Sequence, residues 1–334
     1  MLKISTAPHL NAPQSTQSIM RDVIIALIPA GIVSVCVFGL SALVVILTSV
    51  AGCVAIEYFA CKKLLHCPTT TWDLSAIVTG LLLAYNLPAG FPIWMTLIGC
   101  LVAVGLTKMT YGGIGKNIFN PALAGRVFLF ISFPVEMTTW PRPHLFDFMN
   151  TDMQTGATTL GILKHLDAET SATALTHGST SEQLPDYLNM FIGNIGGSLG
   201  EISTLALLLG FIYMLYRKII SWHIPVYYVG TFFVLTSIHW LITQSPQAEI
   251  LTHLLSGGLM LGAIFMATDY TTSPMSKQGR IIFAVGCGIL TYIIRFYSPY
   301  PEGVSFAILI MNGFVPLIDK ISVPRVFGVR RKQW

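Results

Sequence analysis

The chain has 334 residues and a net charge of +4; 53% of its residues are hydrophobic and only 10% are charged. A soluble domain carries about 25% charged residues, and the mean hydropathy here is +0.69. A soluble enzyme, a nucleic-acid-binding protein and a disordered scaffold are therefore excluded.

Residues 1–21 form a polar arm with Lys3, Pro8 and Pro13 and no apolar stretch of signal-peptide type. A span takes about 20 apolar residues. Ten candidates follow, near 22–40, 42–61, 73–89, 91–109, 115–134, 199–216, 224–243, 250–268, 280–297 and 303–319. Several carry Pro or Gly (Pro29, Pro225, Gly257-Gly258), which membrane helices tolerate when neighbours cover the loosened backbone. The expected fold is an all-α membrane protein of ten transmembrane helices.

The basic residues orient the spans. With the N-terminus inside, 15 of the 19 Lys and Arg fall in inner segments, Arg142 and Lys164 fall outside, and Arg126 and Arg295 fall within spans. That split follows the positive-inside rule. Both termini are then cytoplasmic, and residues 135–185 are periplasmic if the cell is Gram-negative. The long outer segment separates five spans from five, so a duplicated half would be inverted in the membrane. Gly80-Leu81-Leu82-Leu83-Ala84 is similar to Gly258-Leu259-Met260-Leu261-Gly262, and Ile98-Gly99-Cys100 to Val285-Gly286-Cys287. The chain accordingly divides into an arm (1–21), a first half (22–134), an outer segment (135–198), a second half (199–319) and a basic tail (320–334). Inverted repeats place ligands where their halves meet, near interrupted helices.

Ionisable groups inside a membrane are costly and usually functional. Against that functional reading stands a bland one: Arg126 and Arg295 can snorkel toward the surface, and Glu57 and Asp269 can lie at solvated inner helix ends. Glu201 follows a glycine-rich stretch that enters a span. Six cysteines show no Cys-x-x-Cys spacing. Cys100 and Cys287 either meet near a pseudo-twofold axis or fill space as small apolar groups.

The outer segment contains Asp152-Met153-Gln154-Thr155-Gly156-Ala157-Thr158. Alone, Thr-Gly-Ala-Thr is an ordinary polar turn. The small Gly156-Ala157 pair nevertheless lets another molecule approach the Thr158 hydroxyl closely, and a hydroxyl so presented suits phosphoryl chemistry. Asn117-Ile118-Phe119-Asn120-Pro121-Ala122, preceded by Gly112, Gly113 and Gly115, opens the fifth span; such a helix start holds anions or ring carbonyls. Gly193-Asn194-Ile195-Gly196-Gly197-Ser198-Leu199-Gly200-Glu201 precedes the sixth, either to contact a ligand or to let helices pack closely. Asp269-Tyr270-Thr271-Thr272-Ser273-Pro274 ends the eighth.

These motifs resemble those of the family that comprises the D subunit of Rnf-type ion-translocating oxidoreductases and the B subunit of Na⁺-pumping NADH:quinone reductases. The resemblance spans nearly the whole chain. It implies a flavin-carrying membrane subunit of an electron-transport-driven ion pump in a bacterial inner membrane. FMN would be joined to Thr158 through a phosphoester, with Asp152, Thr155, Gly156 and Ala157 recognised by a flavin transferase. A second, non-covalent flavin, riboflavin, is implied within the helices; Asn120, Gly196, Gly197, Ser198 and Glu201 are candidate flavin contacts. Implied partners are other Rnf subunits, including a second flavin-carrying subunit and iron–sulfur subunits. The competing reading is a small-solute channel or secondary transporter with inverted repeats, which the fold alone does not separate from a flavoprotein.

Overall fold

The computed structural model describes residues 15–66, 71–143, 155–156, 158–161, 163–164, 186–243, 250–298, 300 and 302–323. Within them the protein is a helical bundle with one two-stranded ribbon. Residues 1–14 of the polar arm, Asp152, Ala157 and the basic tail beyond residue 323 lie outside the described residues, and the last part of the arm, from Thr16, is already helical.

The first half opens with α1 (Thr16–Phe38), whose Ser15 cap and Ser18 form a capping box. Gly39, at φ 68°, turns the chain directly into α2 (Leu40–Phe59), which continues as a wide π turn, Ala60–Leu64. Next come α3 (Ser75–Tyr85) and α4 (Ile93–Cys100), the latter prolonged by the π segment Leu101–Met109. A glycine-rich loop leads to α5 (Pro121–Ser132), which starts at Asn120 with Pro121 in the first turn, the position where a missing N–H costs nothing. Close helix contacts rest on small residues. A Cβ on Gly80 would stand 2.8 Å from the Val50 Cα, and the Ser49 hydroxyl donates to the Gly80 carbonyl at 2.8 Å.

The outer segment contributes α6 (Pro134–Thr138), β1 (Trp140–Pro141), β2 (Thr155–Gly156) and α7 (Tyr187–Ile192). The strands pair antiparallel, Trp140 opposite Gly156 and Pro141 opposite Thr155. The second half comprises α8 (Thr204–Tyr216), α9 (His223–Thr243), α10 (Ile250–Leu255), α11 (Leu259–Leu261) with the π segment Gly262–Met266, α12 (Lys277–Tyr297) and α13 (Val304–Ile321).

Among the described residues, five helices are long and apolar enough to cross a membrane: α1, α2 with its π turn, α9, α12 and α13. Four shorter apolar helices accompany them. Four of the expected spans are not single full-length helices: the third is the 11-residue α3. The fifth and sixth shrink to 12 and 13 residues because loops at 110–120 and 193–203 replace their beginnings. The eighth breaks at Gly257 and Gly258, whose φ values of +74° and +66° are left-handed. Non-helical backbone at membrane depth is tolerated only where protein buries it or it lines a cavity. Both conditions are met here.

Candidate functional site

The Thr158 segment sits against the second half of the bundle. Thr158 precedes the helical residues 159–161, and its Oγ accepts from the Gly161 N–H at 3.1 Å, as helix-starting threonines do. Leu160 is buried, and its side chain occupies the space a Cβ on Gly257 would need. The Lys164 ammonium donates to the carbonyls of Ser298 at 2.5 Å and Tyr300 at 2.7 Å, beyond the end of α12. Burial, reinforced by repulsion from Arg295, lowers the Lys164 pKa from its ordinary value. On the ribbon side, the Arg142 stem lies over Gly156, its Cγ 2.9 Å from where a Cβ would stand.

Below this segment the broken α10–α11 helix exposes backbone carbonyls, and Arg295 satisfies them. Its guanidinium donates to the carbonyls of His253 (2.7 Å), Ser256 (3.2 Å) and Gly257 (2.7 Å), and it lies 5.1 Å from the Phe232 ring centroid. Its Nε–H is buried with no hydrogen-bond partner.

Beside that break lies a buried polar cluster built from both halves. Arg126 of α5 donates to Asn86 (2.9 Å) and Ser305 (2.7 Å) and forms an ion pair with Glu302. The Ser198 hydroxyl donates to Glu201 Oε2 at 2.6 Å. That oxygen lies 3.2 Å, and Arg126 Nη1 4.0 Å, from where a Cβ on Gly258 would stand. The glycine-rich loop is held here because the Leu199 and Gly200 N–H groups donate to the carbonyls of Leu87 (3.1 Å) and Tyr85 (2.8 Å).

The cluster continues to a cavity at the other end of α5. The Asn86 amide reaches Met266 Sδ at 3.7 Å, and the Asn120 amide donates to the Met266 carbonyl at 3.1 Å. Asn120 also caps α5, accepting from the N–H groups of Ala122 (3.1 Å) and Leu123 (3.4 Å). It lines a cavity of about 580 Å³. Apolar walls come from Ile19, Val23, Val78, Leu82, Ile219 and Phe265, and polar groups from Asn117, Asn120, Asp269 and Thr271. Asp269 accepts from the hydroxyls of Thr271 (3.1 Å) and Thr272 (3.3 Å). Mostly apolar walls with a few convergent polar groups, at this volume, suit a small-molecule ligand.

The candidate residues thus fall into three places. Thr155, Gly156 and Thr158 are on the outer segment. Ser198 and Glu201 belong to the central cluster, where a Cβ on Gly197 would stand 2.9 Å from Glu201 Oε1; Gly196 is in the same loop. Asn120 alone of the candidates lines the inner cavity. Three groups depart from their bland readings, Arg126, Arg295 and Glu57, whereas Asp269 is partly exposed at a helix end. Arg126 and Arg295 do not snorkel: they are 5% and 2% exposed. Each has nearby acceptors to satisfy it, so neither needs to reach the surface. Glu57 is fully buried rather than solvated, 2.6 Å from Lys108, which itself donates to Ser75 at 2.8 Å. Asp269 is held by its own loop's threonines. The Cys100 sulfur lies beside Ser49, donating to its carbonyl at 3.4 Å, on the face of α4 toward α2.

The arrangement thus sets the Thr158 segment, a buried polar core and a partly open cavity next to one another. The NQR2, RnfD, RnfE family model matches residues 3–328. The D subunit of the Na(+)-translocating ferredoxin:NAD(+) oxidoreductase complex of Acetobacterium woodii is 45% identical, the match covering 99% of this chain and 96% of that protein. The D subunit of the proton-translocating ferredoxin:NAD(+) oxidoreductase complex of Clostridium ljungdahlii is 44% identical, covering 98% and 96%. The D subunit of an ion-translocating oxidoreductase complex of Escherichia coli is 35% identical, covering 99% of each chain.

Proposed function

The chain belongs to the NQR2, RnfD, RnfE family, and from that premise we propose that it is the flavin-carrying membrane subunit of an Rnf-type ferredoxin:NAD oxidoreductase that exports Na⁺ or H⁺. Thr158 carries FMN through a phosphoester. Asp152, Thr155, Gly156 and Ala157 form the pattern its transferase recognises. A second flavin, riboflavin, occupies the inner cavity, held by Asn117, Asn120 and Asp269 against the apolar wall of Val78, Leu82 and Phe265. When bound, the flavins supply the redox chemistry. The protein holds them, excludes water and sets the local charge.

The proposed topology is ten spans in two inverted halves, with both termini cytoplasmic and residues 135–185 outside, in a bacterial inner membrane. Partners are other subunits of the complex, among them a second flavin-carrying subunit and iron–sulfur subunits. The observation that carries the reading is a series of neighbours from the Thr158 segment to the cavity: Leu160 against Gly257, Glu201 and Arg126 beside Gly258, Arg126 on Asn86, and Asn86 and the cavity-lining Asn120 on Met266. It joins two ligand positions across the protein's depth. A small-solute channel fits less well, because the centre is filled by the Arg126–Glu302 pair and its partners rather than by an open path.

The experiment is ultraviolet fluorescence of the chain after denaturing electrophoresis. The wild type, matured with its transferase, gives a flavin band and Thr158→Ala gives none. A band that persists in Thr158→Ala would remove the attachment site from this position.

A further inference from the structure

The basic residues of this protein are scarce outside, yet both that belong to the outer segment contact the Thr158 region. Arg142 lies over Gly156, and Lys164 is anchored just past Leu160 on the carbonyls of Ser298 and Tyr300. A third cation lies beneath. Arg295 Nη2 is 2.6 Å from where a Gly257 Cβ would stand, and Leu160 fills the same space from above.

Arg295 and Lys164 have an unusual set of partners. Among the described residues, every hydrogen bond they make runs to a backbone carbonyl. Among the described residues no carboxylate forms an ion pair with either. Arg295 is 2% exposed and still has an unpartnered Nε–H. A buried cation is costly without a counter-charge. Carbonyl dipoles hold the guanidinium in place but neutralise none of its charge. Glu201 and Glu302 attract Arg295 through space, but Glu302 is shared with Arg126. Among the described residues, neither Arg295 nor Lys164 therefore has a carboxylate of its own beside the segment that carries Thr158.

We propose that Arg295 and Lys164 are the electrostatic tuning residues of the flavin on Thr158, raising its reduction potential by stabilising the negative charge that each arriving electron adds. This rests on the assignment of Thr158 as the attachment site. No bond forms or breaks at either residue, and neither gives up a proton; the electron comes from a reduced flavin of a partner subunit. The cations act through space, and burial makes that action stronger than it would be in water. Their backbone anchors keep them rigid, so little reorganisation accompanies the electron.

The test uses the full chain, matured with its transferase and purified in detergent. Spectroelectrochemical titration with dithionite gives the potential of the covalent flavin, taken as the difference from the Thr158→Ala protein. In Arg295→Met the one-electron equilibrium falls at least tenfold, a downward shift of about 59 mV or more. Lys164→Met shifts it in the same direction, and Arg295→Lys, which keeps the charge and loses the fork, stays near wild type. If Arg295 only caps the broken helix, Arg295→Lys behaves like Arg295→Met and Lys164→Met leaves the potential unchanged; that result overturns the proposal. If Arg295→Met does not fold, Lys164→Met decides in the same two directions. Denaturing-gel fluorescence keeps the two claims apart. Fluorescent variants with a wild-type potential refute the tuning role alone, whereas a fluorescent Thr158→Ala protein refutes the attachment site and the tuning role with it.

Discussion

At the scale of single residues, the buried charges set the tightest constraints. Lys108 and Glu57 are 3% and 0% exposed and 2.6 Å apart. Removing one member of such a pair leaves the other uncompensated, at a cost of about 3–5 kcal/mol, whereas replacing both is far milder. Lys108→Met should therefore markedly lower the thermal unfolding temperature in detergent, and the double variant Glu57→Gln/Lys108→Met should recover more than half of the loss. Additive losses would show that the two groups do not act as a pair. The sequence did not make these partnerships legible. An arginine or lysine near the end of an apolar run reads as snorkelling, because hydropathy records depth but not neighbours. Arg126 meets Glu302 and Ser305 from the other half, more than 170 positions away. The available clue was position: Arg126 stands five residues after the proline that opens α5, well inside the span.

Among the elements, hydropathy located the helices and missed some of their starts. The fifth span is expected from residue 115, whereas α5 begins at Pro121 behind the Asn120 cap. The breaks were less legible, since Gly257-Gly258 in an apolar stretch is compatible with a continuous membrane helix. Its left-handed backbone and its contacts with Leu160 and Arg295 are tertiary facts. They lead to a prediction: Gly257→Ala adds a Cβ at a left-handed position, costing about 1–2 kcal/mol, and drives Leu160 out. Trypsin should then cleave after Lys164 faster than in wild type, while covalent flavin is retained. Unchanged cleavage would mean that the Thr158 segment does not depend on this contact. At the inner end, Asn117→Leu should weaken retention of acid-extractable flavin about 3–10-fold, the worth of one hydrogen bond, and leave the covalent band intact. Equal loss of both would argue against two separate flavin positions.

For the whole molecule, the placement of the basic residues predicts one orientation. In right-side-out membrane vesicles, a cysteine introduced as Ser171→Cys should react with a membrane-impermeant maleimide, and one introduced as Gln333→Cys should react only after permeabilisation. The reverse pattern would invert the topology and place Thr158 on the cytoplasmic side. Relatives named for Na⁺ and for proton translocation match at 45% and 44% identity, so overall likeness does not set the coupling ion. The composition, with 10% charged residues, excludes solubility; where the few charges sit is what separates an outer attachment region, a paired polar core and an inner cavity.

The central claim is that Thr158 bears a covalent flavin, and peptide-resolved mass analysis of the purified, transferase-matured subunit tests it most directly. The expected result is an added mass equal to FMN less one water, confined to the peptide containing Thr158. That peptide found wholly at its unmodified mass, or the added mass on a different peptide, would contradict it.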